Sequence, residues 1–246
     1  MGLLRIILQP FYTLWAVAVF VAGLLVVLPI VAAISIGNNA AARRAIWRVI
    51  YAWAVSWLWM VGMPPRRMGP RPVPGRYVVV FNHGSYLDPV LIFPAVPGYF
   101  RALGKKEFVK APLFGFIYKQ IVLLVDRSSP HSRARSMRLM TRAVRRECSV
   151  AIFPEGTFNE SEAPLKEFYD GAFRLAITAG VPVLPILLAD INKRWHWSGW
   201  WKLWPGRNRI IYLETVPTTG LGLSDVAMLK EKVYRVMEAG MIAANA

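Results

Sequence analysis

Residues 11–37, FYTLWAVAVFVAGLLVVLPIVAAISIG, run for 27 positions without a charged side chain. As a helix such a run is long enough to cross the hydrocarbon core of a bilayer. It exceeds the apolar region of a secretory signal peptide. Pro29 lies inside it, which leaves a kinked or re-entrant helix open. Residues 45–63 form a second apolar stretch containing Trp47, Trp53, Trp57 and Trp59, and indole rings favour the membrane interface. Residues 1–64 therefore read as a two-helix membrane anchor whose second helix lies in or near the interface. Arg5 and Arg43 flank the first run on both sides, so they do not set its orientation.

The pattern then changes. MPPRRMGPRPVPGR, residues 63–76, is rich in proline and arginine and predicts an extended linker over 65–76. Beyond it, from 77 to 246, short apolar runs alternate with segments of helical period. Strands are predicted at 77–81, 121–125, 149–153, 183–188 and 209–214. Helices are predicted at 89–96, 108–119, 132–147, 171–179 and 225–239, the fourth closed by Gly180. This order predicts an α/β catalytic domain with a mixed, largely buried sheet flanked by helices.

Charge narrows the partners. Lys and Arg number 30 against 14 acids, a formal net charge of +16, and 55% of the residues are hydrophobic. A basic chain favours an anionic partner, and a chain both basic and apolar points to lipid rather than nucleic acid. Arg135, Arg138, Arg142 and Arg145 recur at helical spacing, opposite Met137, Met140, Val144 and Cys148. Such a face is either solvated or docks lipid headgroups or an acidic carrier protein. Trp195, Trp197, Trp200, Trp201 and Trp204 crowd a loop with Lys193, Arg194 and Lys202, which reads as an interfacial anchor. Cys148 is the single cysteine and reads as a core residue at the start of a strand, with no disulfide or metal chemistry. His131 and His196 read as surface residues.

Two polar turns close apolar strands. In VVVFNHGSYLDP, His83 follows the strand and Asp88 precedes Pro89. On a helix, positions five apart are rotated by about 140° and would not meet easily. On a strand-to-helix turn they can, with Asp88 opening the helix and Pro89 at its first position. A carboxylate on one ring nitrogen would fix the tautomer and leave the other nitrogen as a base. Asp88 is also a plain N-cap, and Ser85-x-x-Asp88 fits a capping box. In AIFPEGT, Pro154-Glu155-Gly156-Thr157 forms the second turn, where Gly156 permits close approach of a ligand. Ligands of α/β sheets gather at such strand ends. GxSxG and GxxxxGK[ST] are both absent, so the chain lacks the lipase-type and Walker-type signatures.

Asn82-His83-Gly84-Ser85-Tyr86-Leu87-Asp88 followed by Phe153-Pro154-Glu155-Gly156-Thr157 resembles the glycerophospholipid acyltransferase family. Val125-Asp126-Arg127 and Val181-Pro182-Val183-Leu184-Pro185-Ile186 resemble two further blocks of that family, in the same order. The resemblance covers residues 72–215 and implies the glycerolipid acyltransferase fold. It implies transfer of a fatty acyl group from acyl-CoA or acyl carrier protein to a lysolipid hydroxyl, with no metal and no other cofactor. His83 would be the base and Asp88 its orienting carboxylate. Asn82, Ser85, Phe153, Pro154, Glu155, Gly156 and Thr157 would shape the acceptor site, and Arg127, with Lys105 and Lys106, would hold its phosphate. The implied acceptor is 1-acylglycerol 3-phosphate, giving phosphatidic acid at the inner membrane, with the catalytic domain facing the cytoplasm. The chain departs from the family at Phe158 and Asp170, where basic residues are usual. That keeps another acceptor, such as a lyso-ornithine lipid, as an alternative. The alternative of another class is a basic membrane-binding protein with no enzymatic activity.

Overall fold

β-Branched apolar residues with side chains buried on both faces suit the middle of a sheet covered by helices on each side. Val78–Phe81, Ser149–Ile152 and Val183–Leu188 have this character, and every residue in them is buried. The computed structural model describes residues 2–125 and 129–245. Among these, seven strands form one sheet: β1 Pro65–Met68, β2 Val78–Phe81, β3 Phe100–Lys105, β4 Val122–Val125, β5 Ser149–Ile152, β6 Val183–Leu188 and β7 Asn208–Tyr212. Their order is β1-β7-β6-β2-β5-β3-β4. β6 and β7 pair antiparallel, and the other pairs are parallel, so the sheet is mixed as predicted.

The helices are α1 Leu3–Ser35, α2 Ala40–Met60, α3 Asp88–Ala95, α4 Phe114–Ile121, α5 Pro130–Arg146, α6 Gly171–Ala179, α7 Ile191–Arg194 and α8 Val226–Asn245. The alternation of side chains along each strand divides the core in two. Val79, Phe81, Ala151 and Leu184 pack with α1, α2 and α3. Val78, Val80, Val150 and Val183 pack with α5, α6 and α8.

Several predicted elements shift. The helix expected over 108–119 is split: a 3-10 turn, Lys106–Lys110, precedes α4. Pro112 lies at the break, and Leu113 takes φ 60° there. The start of the expected linker is β1, an edge strand on β7. β3 was not predicted, because FRALGK has neither an apolar run nor an apolar alternation. α8 continues through Gly240, where a Cβ would lie 2.9 Å from Leu187 Cδ1. Glycine at 240 serves close packing on β6 rather than helix termination.

α1 runs unbroken through Pro29. It is long and apolar enough to cross a membrane by length and composition. One side is fixed to the domain. Gln9 Nε2 donates to Lys202 O at 2.7 Å, and Thr13 Oγ1 donates to Trp201 O at 2.8 Å. Leu4, Ile7, Phe11, Leu14, Leu25, Val26 and Ile30 point outward.

The second helix packs against the domain along one face. Ile46, Ile50, Ala54, Trp57 and Leu58 of α2 are buried in the same core as the sheet. Trp57 is 1% exposed, and its Nε1 donates to Ala16 O of α1 at 2.9 Å. One face of α2 thus joins α1 to the sheet, and of its tryptophans Trp59 is the exposed one.

Candidate active site

Adjacent parallel strands whose connections leave toward opposite faces open a crevice at their C-terminal ends. β2 and β5 are such a pair. β2 leads to α3 on one face, and β5 leads to α6 on the other. His83 follows β2, and Phe153–Thr157 follow β5, so both polar turns stand at this crevice.

Asp88 is the first residue of α3 rather than its cap; Leu87 takes that place. The one-residue shift puts the carboxylate inside the turn. Asp88 Oδ2 lies 2.7 Å from His83 Nδ1 and accepts from the backbone N–H groups of Gly84 and Ser85, each at 3.0 Å. Half of the expected capping box is therefore present, in the bond from Ser85 N–H. The same oxygen that closes the turn holds the imidazole. Asp88 is fully buried. Burial pushes its carboxyl up from the ordinary value, opposed by His83 and the two amides.

With Nδ1 on the carboxylate, Nε2 faces away from Asp88. The ring itself is clamped. Phe153 stacks on it at 4.3 Å between centroids, and Phe158 meets it edge-on at 4.6 Å. Phe158 also contacts Tyr86, which contacts Trp195. Phe158, noted in the sequence as a departure, is thus one wall of the histidine site.

Glu155 ties the two turns together. Its Oε1 accepts from His83 N at 2.8 Å, and its Oε2 accepts from Lys166 N at 3.0 Å. Asn159 N also donates to His83 O at 2.7 Å. Burial pushes the Glu155 carboxyl up from 4.5 to about 7, against the pull of the two N–H groups. A carboxyl with a raised folded-state pKa binds its proton more tightly folded than unfolded. The resulting stability is fully present below the unfolded value and is lost as pH rises through the folded one. Between about pH 4.5 and pH 7 the native protein should therefore lose up to roughly 3 kcal/mol relative to a Glu155→Gln variant. Thermal melts of the two proteins across that range test this, and a pH-independent difference would contradict it.

The remaining predicted residues divide. The Asn82 side chain bridges to β6, accepting from Leu188 N at 2.8 Å and donating to Leu188 O at 3.2 Å. Ser85 is buried, and its hydroxyl donates to Trp195 O at 2.6 Å. Both brace the crevice rather than face a ligand freely. Pro154 O accepts from Tyr169 N, and Gly156 takes φ 73°. Thr157 is exposed. Lys105 ends β3 and Lys106 follows, at the same edge of the sheet as His83. Arg127 lies outside the described residues. Asp170 pairs with Lys230 of α8 at 2.8 Å, so its charge is met within the protein.

Sequence reasoning missed Tyr86, Trp195, Lys166 and His196. His196, expected at the surface, lines a cavity of about 530 Å³ with His83, Glu155, Asn192 and Lys193. The tryptophan loop is also used differently than expected. Trp200 and Trp201 are exposed, but the loop's backbone carbonyls receive the α1 side chains, and Trp195 packs toward the site. Among the described residues, no group of three or more His, Cys, Asp or Glu is placed to hold a metal ion.

1-acyl-sn-glycerol-3-phosphate acyltransferase alpha of Ovis aries is 33% identical over 167 residues, covering 65% of this chain and 56% of that protein. The beta enzyme of Homo sapiens is 31% identical over 162 residues, covering 65% and 58%. The chain spans about half the length of the curated relatives it matches. The crystal structure of the LPA acyltransferase PlsC from Thermotoga maritima superposes with a TM-score of 0.70 over 100% of this chain and 98% of that one, at 19% identity. This likeness establishes the fold. The family model described as Acyltransferase matches residues 66–189, half of the chain and the segment that carries both polar turns, and the chain belongs to that family.

Proposed function

We propose that the protein transfers a fatty acyl group from a thioester, acyl-CoA or acyl carrier protein, to the free hydroxyl of a lysophospholipid. The first candidate acceptor is the one named in its relatives, 1-acyl-sn-glycerol 3-phosphate, which would give phosphatidic acid in phospholipid biosynthesis. The observation that carries this reading is the His83–Asp88 pair, held at 2.7 Å at the β2–β5 crevice.

In this mechanism His83 Nε2 takes the proton of the lysolipid hydroxyl as its oxygen attacks the thioester carbonyl. The new C–O ester bond forms, the C–S bond breaks, and the imidazolium returns the proton to the leaving thiolate. Asp88 stabilises the imidazolium through Nδ1–H. A thioester is already activated, so no acyl-enzyme is needed. Asp88→Asn should lower kcat, because an amide cannot stabilise the cation as a carboxylate does.

The outward apolar side of α1 and the exposed Trp200 and Trp201 support a membrane position. The α5 arginines sit elsewhere. Arg135, Arg138 and Arg142 are exposed on the sheet face opposite α1 and α2. That position favours a soluble acidic partner over headgroups, and so acyl carrier protein as donor.

The test is an assay of the purified chain with isotopically labelled acyl-CoA and acyl carrier protein against a panel of lysolipids, with products identified by mass. Labelled phosphatidic acid as the main product is the expected result. Absence of any acylated lipid would overturn the reading.

A further inference from the structure

A phosphate in a partly dry site needs charge-assisted partners. The sequence lacks the cations usual in this family at 158 and 170. Phe158 is an aromatic wall of the histidine site, and Asp170 is paired with Lys230. One exposed lysine nevertheless reaches the same turn. Lys166 Nζ donates to Thr157 Oγ1 at 2.7 Å. Its backbone N–H is held by Glu155 Oε2, and the other oxygen of Glu155 holds the backbone N–H of His83. The position of Lys166 is therefore referred to the base through a single buried side chain.

Lys166 also has charge to offer. Among the described residues it has no ion-pair partner. Its ammonium carries three donors, and the bond to Thr157 uses one. The Thr157 hydroxyl accepts that bond and keeps its own proton to donate. Two N–H groups and one O–H thus remain at the Gly156–Thr157 turn, a donor set suited to phosphate oxygens.

We propose that Lys166 binds the phosphate of the acceptor lipid, with Thr157 beside it, in place of the missing basic residue at 158. The proposal rests on the acyltransferase reading and makes the protein selective for phosphate-bearing acceptors. The bound phosphate belongs to the acceptor and not to the donor.

Two measurements test it. The first compares kcat/KM for lysophosphatidate with that for monoacylglycerol, which offers the same hydroxyl without phosphate. Lys166→Ala should lower this ratio by on the order of 10–100-fold, through the KM for the acceptor, and Lys166→Arg should recover much of it. An unchanged ratio would overturn the proposal, as would a rise confined to the KM for acyl-CoA. A lysine that only braces the turn would depress both acceptors equally and lower the melting temperature. The second is equilibrium binding of lysophosphatidate in mixed detergent micelles, which needs no turnover. Affinity should fall by at least about tenfold in Lys166→Ala and stay near wild type in Lys166→Arg. Equal affinity in the alanine variant and the wild type would remove Lys166 from the site even if the chain acylated no lysolipid.

Discussion

Replacing His83 by alanine should slow acyl transfer by roughly 10²–10⁴-fold, the contribution of a positioned general base. The loss should appear in kcat, because the imidazole accepts the proton in the transition state. The fold should survive. The turn is closed by bonds that do not involve the imidazole, from Gly84 N, Ser85 N and Asn159 N and to Glu155 Oε1. What the variant loses is the ring between Phe153 and Phe158 and the partner of Asp88. Circular dichroism and melting temperature should show a folded protein with little activity. Near-normal turnover in a folded His83→Ala protein would remove the histidine from the mechanism.

Trp57→Ala should cost about 3–5 kcal/mol of stability, the range for deleting a buried tryptophan. Trp57 packs edge-on against Phe20 at 5.4 Å, and its N–H is bonded to Ala16 O. It joins α1 to α2, and α2 to the core that includes Val79 and Phe81. The effect should therefore reach the catalytic domain, seen as a lower denaturation midpoint together with lost activity. Deleting 1–64 should likewise leave an aggregating protein rather than a soluble enzyme. If Trp57→Ala changed stability by less than about 1 kcal/mol, α2 would be a separable anchor.

The comparison of sequence with structure divides along physical lines. β2, β5 and β6 were legible because a strand buried on both faces must be continuously apolar. β1 reads PRRM, and three of its four residues are exposed on an edge, so no burial signal marks it. β3 was hidden because FRALGK carries neither an apolar run nor an apolar alternation, although it pairs with both Ser149–Ala151 and Val122–Val125. Its Gly104 sits where a Cβ would lie 2.4 Å from Val122 Cγ1.

The tryptophans of α2 carry the same composition whether they face lipid or protein. Only the packing partner, Phe20 for Trp53 and Trp57, distinguishes the cases. His83 and Asp88 were legible because local geometry alone brings them together. Lys166 was not, since it reaches the histidine turn only through the fold of Glu155. Phe158 appeared in the sequence as a lost cation, and the structure shows what it supplies instead, an aromatic wall beside the base.

The central claim is direct transfer from a thioester to a lysolipid hydroxyl with His83 as base. A single-turnover reaction tests it most closely. Purified wild type and His83→Ala are mixed with labelled acyl thioester, first without and then with lysophosphatidate, and both lipid and intact protein are weighed by mass spectrometry. The account predicts no acylated protein in either phase and labelled phosphatidic acid from the wild type once acceptor is added, with little from His83→Ala. A covalently acylated protein that passes its acyl group to the lipid, or equal product from the two proteins, would contradict it.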